Sequence, residues 1–203
     1  MRRIAVAAPS EQAFSSFAPD QAVAEWFRSL ALANPALTDT GEVLAYAMHP
    51  WVFRTLVGVG AVVAWRAGRR RAALVAGVTM AAGSLLGLGI KVAVARPRPV
   101  WGDPVATEIG YSMPSGHALN AALGSCLLLA LGWSWLRHRG QTRAAISGGA
   151  LVVAVAMLDR LLLGVHYLTD VLVGATLGTL LGMAAARFLG VERCHASRAP
   201  RRG

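Results

Sequence analysis

At 203 residues, with 55% of them apolar and only 15% charged, the chain is long enough for one domain and too apolar for an ordinary water-soluble one. Lys+Arg number 20 against 10 Asp+Glu, a formal charge of +10. These cations punctuate apolar blocks instead of lining a water-facing stripe, which favours the positive-inside rule and argues against nucleic-acid binding. The same composition excludes disorder, collagen and coiled coil.

The N-terminus carries Arg2 and Arg3, but the apolar run that follows, Ile4 to Pro9, is short and Glu11 interrupts it, so no cleavable signal peptide is expected. Within the mixed residues 1–48, Val23, Trp26, Phe27 and Leu30 share a helical face opposite Glu25, Arg28 and Ser29. That pattern predicts a short amphipathic helix lying at an interface, too short to span. Pro50 suits a first helical position and opens span one, Trp51 to Trp65, which is apolar except for Arg54 near one end, where a long stem can snorkel. Ala72 to Ile90 is uncharged for nineteen residues, roughly 28 Å of helix, and stops at Lys91. This is span two.

Arg96-Pro97-Arg98-Pro99 cannot continue that helix, because each proline lacks a donor and disfavours helical geometry in the residue before it. A loop therefore runs to about Pro114. Ala118 to Leu136 forms span three, and Ala144 to Leu158 and Val171 to Ala186 form spans four and five, joined by a turn holding Asp159, Arg160, His166 and Asp170. The fold expected is all-α, an integral membrane helical bundle of five transmembrane helices plus an N-terminal amphipathic or shortened helix. Its divisions are an interfacial segment 1–48, a membrane domain 49–189 and a basic tail 190–203.

Arginines set the orientation. Arg66, Arg69, Arg70 and Arg71 follow span one, Arg137, Arg139 and Arg143 follow span three, and Arg187, Arg193, Arg198, Arg201 and Arg202 follow span five. That side is expected to be cytoplasmic, C-terminus included. The loop from Arg96 to Pro114 and the turn from Asp159 to Asp170 then meet on the extracytoplasmic face of the cell membrane. Cys126, in an apolar block, and Cys194, in the tail, suggest no disulfide framework. Gly174, Gly178 and Gly182 recur every four residues, as do Gly83 and Gly87, and read as helix packing through small residues.

The polar residues of the two outer loops are Lys91, Arg96, Arg98, Ser115, His117, Asp159, Arg160, His166 and Asp170. Ionisable groups at a membrane edge are costly unless paired or functional, and a cation-rich pocket suits an anionic ligand. Phosphate is the simplest, because arginine forks match its oxygens and lysine adds a point charge. Ser115 is a good N-cap for span three, Gly116 lets a ligand approach the backbone, and His117 falls in an amide-rich first turn within reach of proton transfer. An ordinary capped helix with an incidental histidine has the same residues. His166 and Asp170, four apart, share a helical face, so the carboxylate can take one imidazole N–H and leave the other nitrogen as nucleophile or base. A metal site is disfavoured, since no cysteine, third histidine or glutamate cluster lies nearby and the cations would repel the ion.

Taken in order, Lys91, six residues, Arg98-Pro99, then Pro114-Ser115-Gly116-His117, then Arg160, five residues, His166, three residues, Asp170, the chain resembles the three-part signature of the type 2 phosphatidic acid phosphatase and vanadium haloperoxidase superfamily. The resemblance covers about Pro50 to Ala186. One departure is Asp159, where the family usually has serine before the arginine; it either pairs with Arg160, weakening phosphate binding, or points away. Another is the count of five spans against the six-helix bundle usual in bacterial membrane members.

The resemblance implies that His166 attacks phosphorus to form a phosphohistidine, that Asp170 orients and stabilises it, and that His117 protonates the leaving oxygen and then activates water. It implies phosphate binding by Lys91, Arg98, Ser115, Gly116 and Arg160. No cofactor is expected, and no Mg²⁺, since fixed cations already stabilise the equatorial oxygens. The activity expected is hydrolysis of the phosphomonoester or diphosphate head of a lipid, such as phosphatidate, phosphatidylglycerophosphate or a polyprenyl diphosphate or phosphosugar lipid. Two rivals stay open: a phosphotransferase using the same intermediate, and a non-catalytic lipid-phosphate binder. The sequence leaves the oligomeric state unset.

Overall fold

A computed structural model of the chain describes residues 18–189. Residues 1–17, with Arg2, Arg3 and Glu11, and residues 190–203, with Cys194 and Arg193, Arg198, Arg201 and Arg202, lie outside the described residues. Seven helices follow in order: α1 (Ala18–Ala33), α2 (Pro35–Ala47), α3 (Pro50–Arg66), α4 (Arg70–Val94), α5 (Gly116–His138), α6 (Thr142–Leu162) and α7 (Leu168–Phe188). Pro35 and Pro50 each sit in the first turn of a helix, where a missing N–H costs nothing. Ala95, in the left-handed region at φ 49°, closes α4 just before Pro97.

Five stretches are long and apolar enough to cross a membrane: Pro35–Arg66, Arg70–Val94, Gly116–His138, Thr142–Leu162 and Leu168–Phe188. The protein is thus an all-helical, multi-pass membrane protein, and each expected span lies within one of these stretches. Three boundaries differ from expectation. The N-terminal region forms two helices, divided at Asn34-Pro35, and the apolar α2 runs almost directly into α3. Helix α6 continues through Asp159 and Arg160 to Leu162, and α7 already includes Asp170. These charges pair inside the protein, so they do not break the helices that carry them. Arg54 also departs from its expected snorkelling: it turns inward toward Ser84 and Asn120, the polar acceptors within reach.

Helix α5 is the centre of the bundle, packing against α3, α4, α6 and α7. Half of its apolar window is buried inside the protein, against 17–28% for the other four stretches. Leu119, Leu123 and Leu127 fill the interior with Val57, Phe53 and Met80. Leu85, Leu88, Val92 and Leu180 are exposed on the outside, where lipid replaces water as solvent and apolar side chains belong. Small residues set the closest contacts. A Cβ on Gly178 would lie 2.3 Å from the Leu119 carbonyl oxygen, and one on Gly174 would lie 2.5 Å from the Ser115 carbonyl oxygen. No larger residue fits there, and α7 is seated directly on the start of α5.

Candidate active site

The 95–115 loop, the 163–167 turn and the adjoining ends of α4 to α7 meet at one end of the bundle, opposite the turns that carry Arg66 to Arg71 and Arg137 to Arg143. Gly164, at φ +67°, stops α6 in the left-handed conformation that glycine adopts at least cost. Its carbonyl accepts from Trp101 Nε1 at 2.9 Å, which pins the loop to the turn. His166 follows directly and is 1% exposed.

The two ring nitrogens of His166 face different groups. Nε2 lies 3.1 Å from Arg98 Nη1 and Nδ1 lies 3.4 Å from Asp170 Oδ2. Arginine has no acceptor, so Nε2 presents its lone pair to the guanidinium and the proton resides on Nδ1, facing the carboxylate. Burial holds the imidazole below its ordinary pKa; Asp170 opposes that shift and Arg98 adds to it. The ring is therefore neutral, with a lone pair directed at a cation. That is the state a nitrogen nucleophile requires.

Asp170 ties the two sequence motifs together. Oδ2 also accepts from the Tyr167 backbone N–H at 2.9 Å, as an N3 carboxylate does in a capping box. Oδ1 accepts from Arg96 at 2.7 Å, and the main-chain oxygen accepts from the Ser115 N–H at 3.0 Å. Arg96 was among the outer-loop polar residues in the sequence but carried no site assignment. It reaches across to Asp20 on α1 at 2.7 Å, while Thr169 donates to the same carboxylate.

Arg98 and Arg160 converge on one carboxylate that the sequence reading did not single out. Glu108 Oε2 lies 3.0 Å from Arg98 Nη2, and Oε1 lies 2.6 Å from Arg160 Nη1. Burial alone would raise the Glu108 carboxyl, but the two guanidinium groups outweigh it and hold the pKa below the usual carboxylate range. A bidentate anion thus sits between two arginine forks, beside the histidine lone pair. Asp159 takes the first of its two sequence possibilities, pairing with Arg160 Nε at 3.0 Å with both side chains buried.

Ser115 occupies the N-cap position of α5, with φ −66° and ψ 121°, but its side chain makes no capping hydrogen bond. The expected cap is corrected by packing: the backbone of Ser115 is held by Asp170 and Gly174 of α7, and its buried Oγ is left without a partner among the described residues. Gly116 is open on its Cβ side, its nearest neighbour being Pro50 Cγ at 4.0 Å. His117 lines a cavity of about 370 Å³ with Glu108, Arg160, His49 and Tyr46, and its ring meets His49 edge-on at 5.5 Å. Lys91 lines a neighbouring recess of about 150 Å³ with Pro114, Gly116 and Asn120, within electrostatic reach of Arg98, Glu108 and Asp170.

The structure therefore brings His166, Asp170, Arg98 and, through Glu108, Arg160 into one contact network, with His117 on the cavity that Arg160 and Glu108 line and Lys91 in the recess that Gly116 lines. Glu108, Asp20 and His49 escaped sequence reasoning because each comes from a segment whose pattern reads as loop or interfacial helix. Among the described residues no three His, Cys, Asp or Glu side chains are arranged to hold a metal ion.

Fold and site together define a polytopic helical membrane protein with a histidine and two arginines gathered on an anion at one end of the bundle. The model of the family described as the PAP2 superfamily matches residues 72–193, and the chain belongs to that superfamily. Phosphatidylglycerophosphatase B of Bacillus subtilis (strain 168) is 35% identical over 102 residues, 48% of this chain and 48% of that protein. Phosphatidylglycerophosphatase B of Escherichia coli (strain K12) is 41% identical over 88 residues, 43% of this chain and 32% of that protein. The chain thus spans half or less of the length of these curated relatives. The crystal structure of a transmembrane PAP2-type phosphatidylglycerolphosphate phosphatase from Bacillus subtilis superposes with a TM-score of 0.67 at 22% identity, covering 89% of each chain.

Proposed function

We propose that this protein is a membrane lipid phosphatase, hydrolysing the terminal phosphate ester or diphosphate of a lipid through a phosphohistidine. The observation that carries the reading is Glu108, a carboxylate held bidentately by Arg98 and Arg160 next to the His166 lone pair. A phosphoryl group presents oxygens of the same charge to the same forks, and places phosphorus beside Nε2. Membership in the PAP2 superfamily and the two phosphatidylglycerophosphatase relatives support it.

In this mechanism His166 Nε2 attacks phosphorus, the bond to the lipid oxygen breaks, and His117 gives that oxygen its proton. Water then attacks the phosphohistidine, His117 takes the water's proton, and inorganic phosphate leaves. Asp170 holds the Nδ1 proton and stabilises the charge that develops on the ring. Lys91, Arg98, Arg160, the Ser115 hydroxyl and the Gly116 amide neutralise the phosphoryl oxygens. Ser115 Oγ suits this task because it has no other partner among the described residues.

The site opens on the extracytoplasmic side and the C-terminus is cytoplasmic, a reading supported by the arginines at the opposite bundle end. The test is release of inorganic phosphate by purified protein from phosphatidate, phosphatidylglycerophosphate and a polyprenyl diphosphate in mixed micelles. Release from at least one is expected. Release from none, with intact lipid binding, would favour a non-catalytic lipid-phosphate protein, and phosphorylation of a second lipid instead of water would make it a transferase.

A further inference from the structure

Arg54 lies one turn inside α3, in a membrane-spanning stretch, on the face turned toward α4 and α5. Its Nε donates toward Asn120 Oδ1 at 3.2 Å and Ser84 Oγ at 3.3 Å, and its guanidinium stacks 5.0 Å from the centre of the Trp51 ring. All of these partners are neutral. Among the described residues no carboxylate lies within ion-pair distance of it. A cation at membrane depth without a counter-ion is expensive, and such residues mark ligand sites.

Two cavities meet at this side chain. One is the recess that holds Lys91, Gly116 and Asn120. The other is an apolar groove of about 660 Å³ between α3 and α4, lined by Trp51, Val57, Met80, Leu85 and Leu88. Arg54, Ser84 and Leu88 line both, so the guanidinium stands where the recess that holds Lys91 adjoins the apolar groove. Ser84 and Lys91 are seven residues apart on α4, two helical turns or roughly 10 Å. Asn120 completes the link, because its Nδ2 donates to the Gly116 carbonyl at 2.8 Å while its Oδ1 faces Arg54.

We propose that Arg54 is a specificity-determining residue that binds the non-scissile phosphodiester of a glycerophospholipid whose terminal phosphomonoester occupies the Arg98 and Arg160 site. This rests on the lipid phosphatase reading above and names its preferred substrate class. A glycerol spacer separates the two phosphates of such a lipid, so its second anion reaches beyond the scissile site, and Arg54 lines the same recess as Lys91 and Gly116. A diphosphate joins its phosphorus atoms through one oxygen and brings no second anion to Arg54. Phosphatidate has only the scissile phosphate.

The test compares KM and kcat for phosphatidylglycerophosphate and phosphatidate in mixed micelles, using the full chain and its Arg54→Gln and Arg54→Lys variants. Glutamine keeps a donor for Asn120 and removes the charge. The expected result is a KM for phosphatidylglycerophosphate raised by about tenfold or more in Arg54→Gln, the scale of one lost hydrogen bond between charged groups. Its kcat, and both constants for phosphatidate, should stay within about twofold, and Arg54→Lys should restore most of the affinity. Equal losses on both substrates in Arg54→Gln, or an unchanged KM for phosphatidylglycerophosphate, would overturn the inference, and Arg54→Met, which also removes the charge, is read by the same comparison if the glutamine variant does not fold. Wild-type protein inactive on every lipid would instead overturn the phosphatase reading itself.

Discussion

Arg96 and Asp170 form an ion pair at 2.7 Å in which the arginine side chain is 4% exposed and the carboxylate fully buried. The other arm of the same guanidinium reaches Asp20 of α1, also at 2.7 Å. One arginine is thus shared by the carboxylate that faces His166 and by a helix that the sequence pattern placed at the membrane interface. Charges this deeply buried stabilise only while each has its partners, and removing one partner strands the others. Asp20→Ala is therefore expected to destabilise the protein by up to about 3–5 kcal/mol, the range for a broken buried pair. Thermal unfolding in detergent would show it. An unchanged melting temperature would mean that α1 is not part of the support for Asp170.

The sequence made the spans legible because long uncharged runs have few other readings, and made the motifs legible because their spacing is local or follows a turn. Arg96 was visible as a polar residue, but its task was not, since Asp20 lies 76 positions away and nothing local in α1 distinguishes it from a solvated acid. Glu108 was hidden in the same way. A lone carboxylate in a proline-rich loop has no periodicity, and only the folded loop shows it between two arginines. Ser115 shows the opposite failure. Its type and position predicted a capping side chain, but the backbone of Ser115 is held against α7 and its hydroxyl is buried without a partner among the described residues. The glycine stripe of α7 was read correctly as packing, and the fold adds its consequence: Gly174 sets the distance at which Asp170 and Ser115 share a hydrogen bond.

Glu108 occupies the arginine forks that the proposed mechanism assigns to phosphate, so substrate and carboxylate compete. The flanking guanidinium groups keep Glu108 ionised across the neutral range, so acidification to ordinary assay pH does not relieve the competition. Glu108→Gln retains the size and removes the charge. It should lower the inhibition constant of orthovanadate, a trigonal-bipyramidal phosphate mimic, by several-fold, on the scale of one charged hydrogen bond. Activity without vanadate should survive excess EDTA, since fixed cations neutralise the phosphoryl oxygens. A higher constant in Glu108→Gln would show that the carboxylate holds the arginines in place for the anion instead of competing with it.

The division of labour between the histidines gives the sharpest test of the proposed chemistry. His166→Ala should abolish both turnover and acid-labile, base-stable phosphoprotein in a rapid quench with phosphate-labelled lipid. His117→Ala removes only the proton donor, so it should slow the first step by about 10²- to 10⁴-fold for an alkoxide leaving group and by much less for an acidic one such as a nitrophenolate. Phosphoprotein that persists in His166→Ala and vanishes in His117→Ala would invert the roles. The pH profile adds a signed check. Burial depresses the His166 pKa and the Asp170 hydrogen bond partly restores it. Activity that needs the neutral ring is therefore present above that depressed pKa and is lost as pH falls through it. Asp170→Asn removes the restoring interaction, so the acid limb of kcat/KM should move to lower pH even as kcat itself drops. The substrate's own ionisation is common to both proteins and cancels in the comparison. An acid limb that moves upward in Asp170→Asn would mean that the titrating group is not His166.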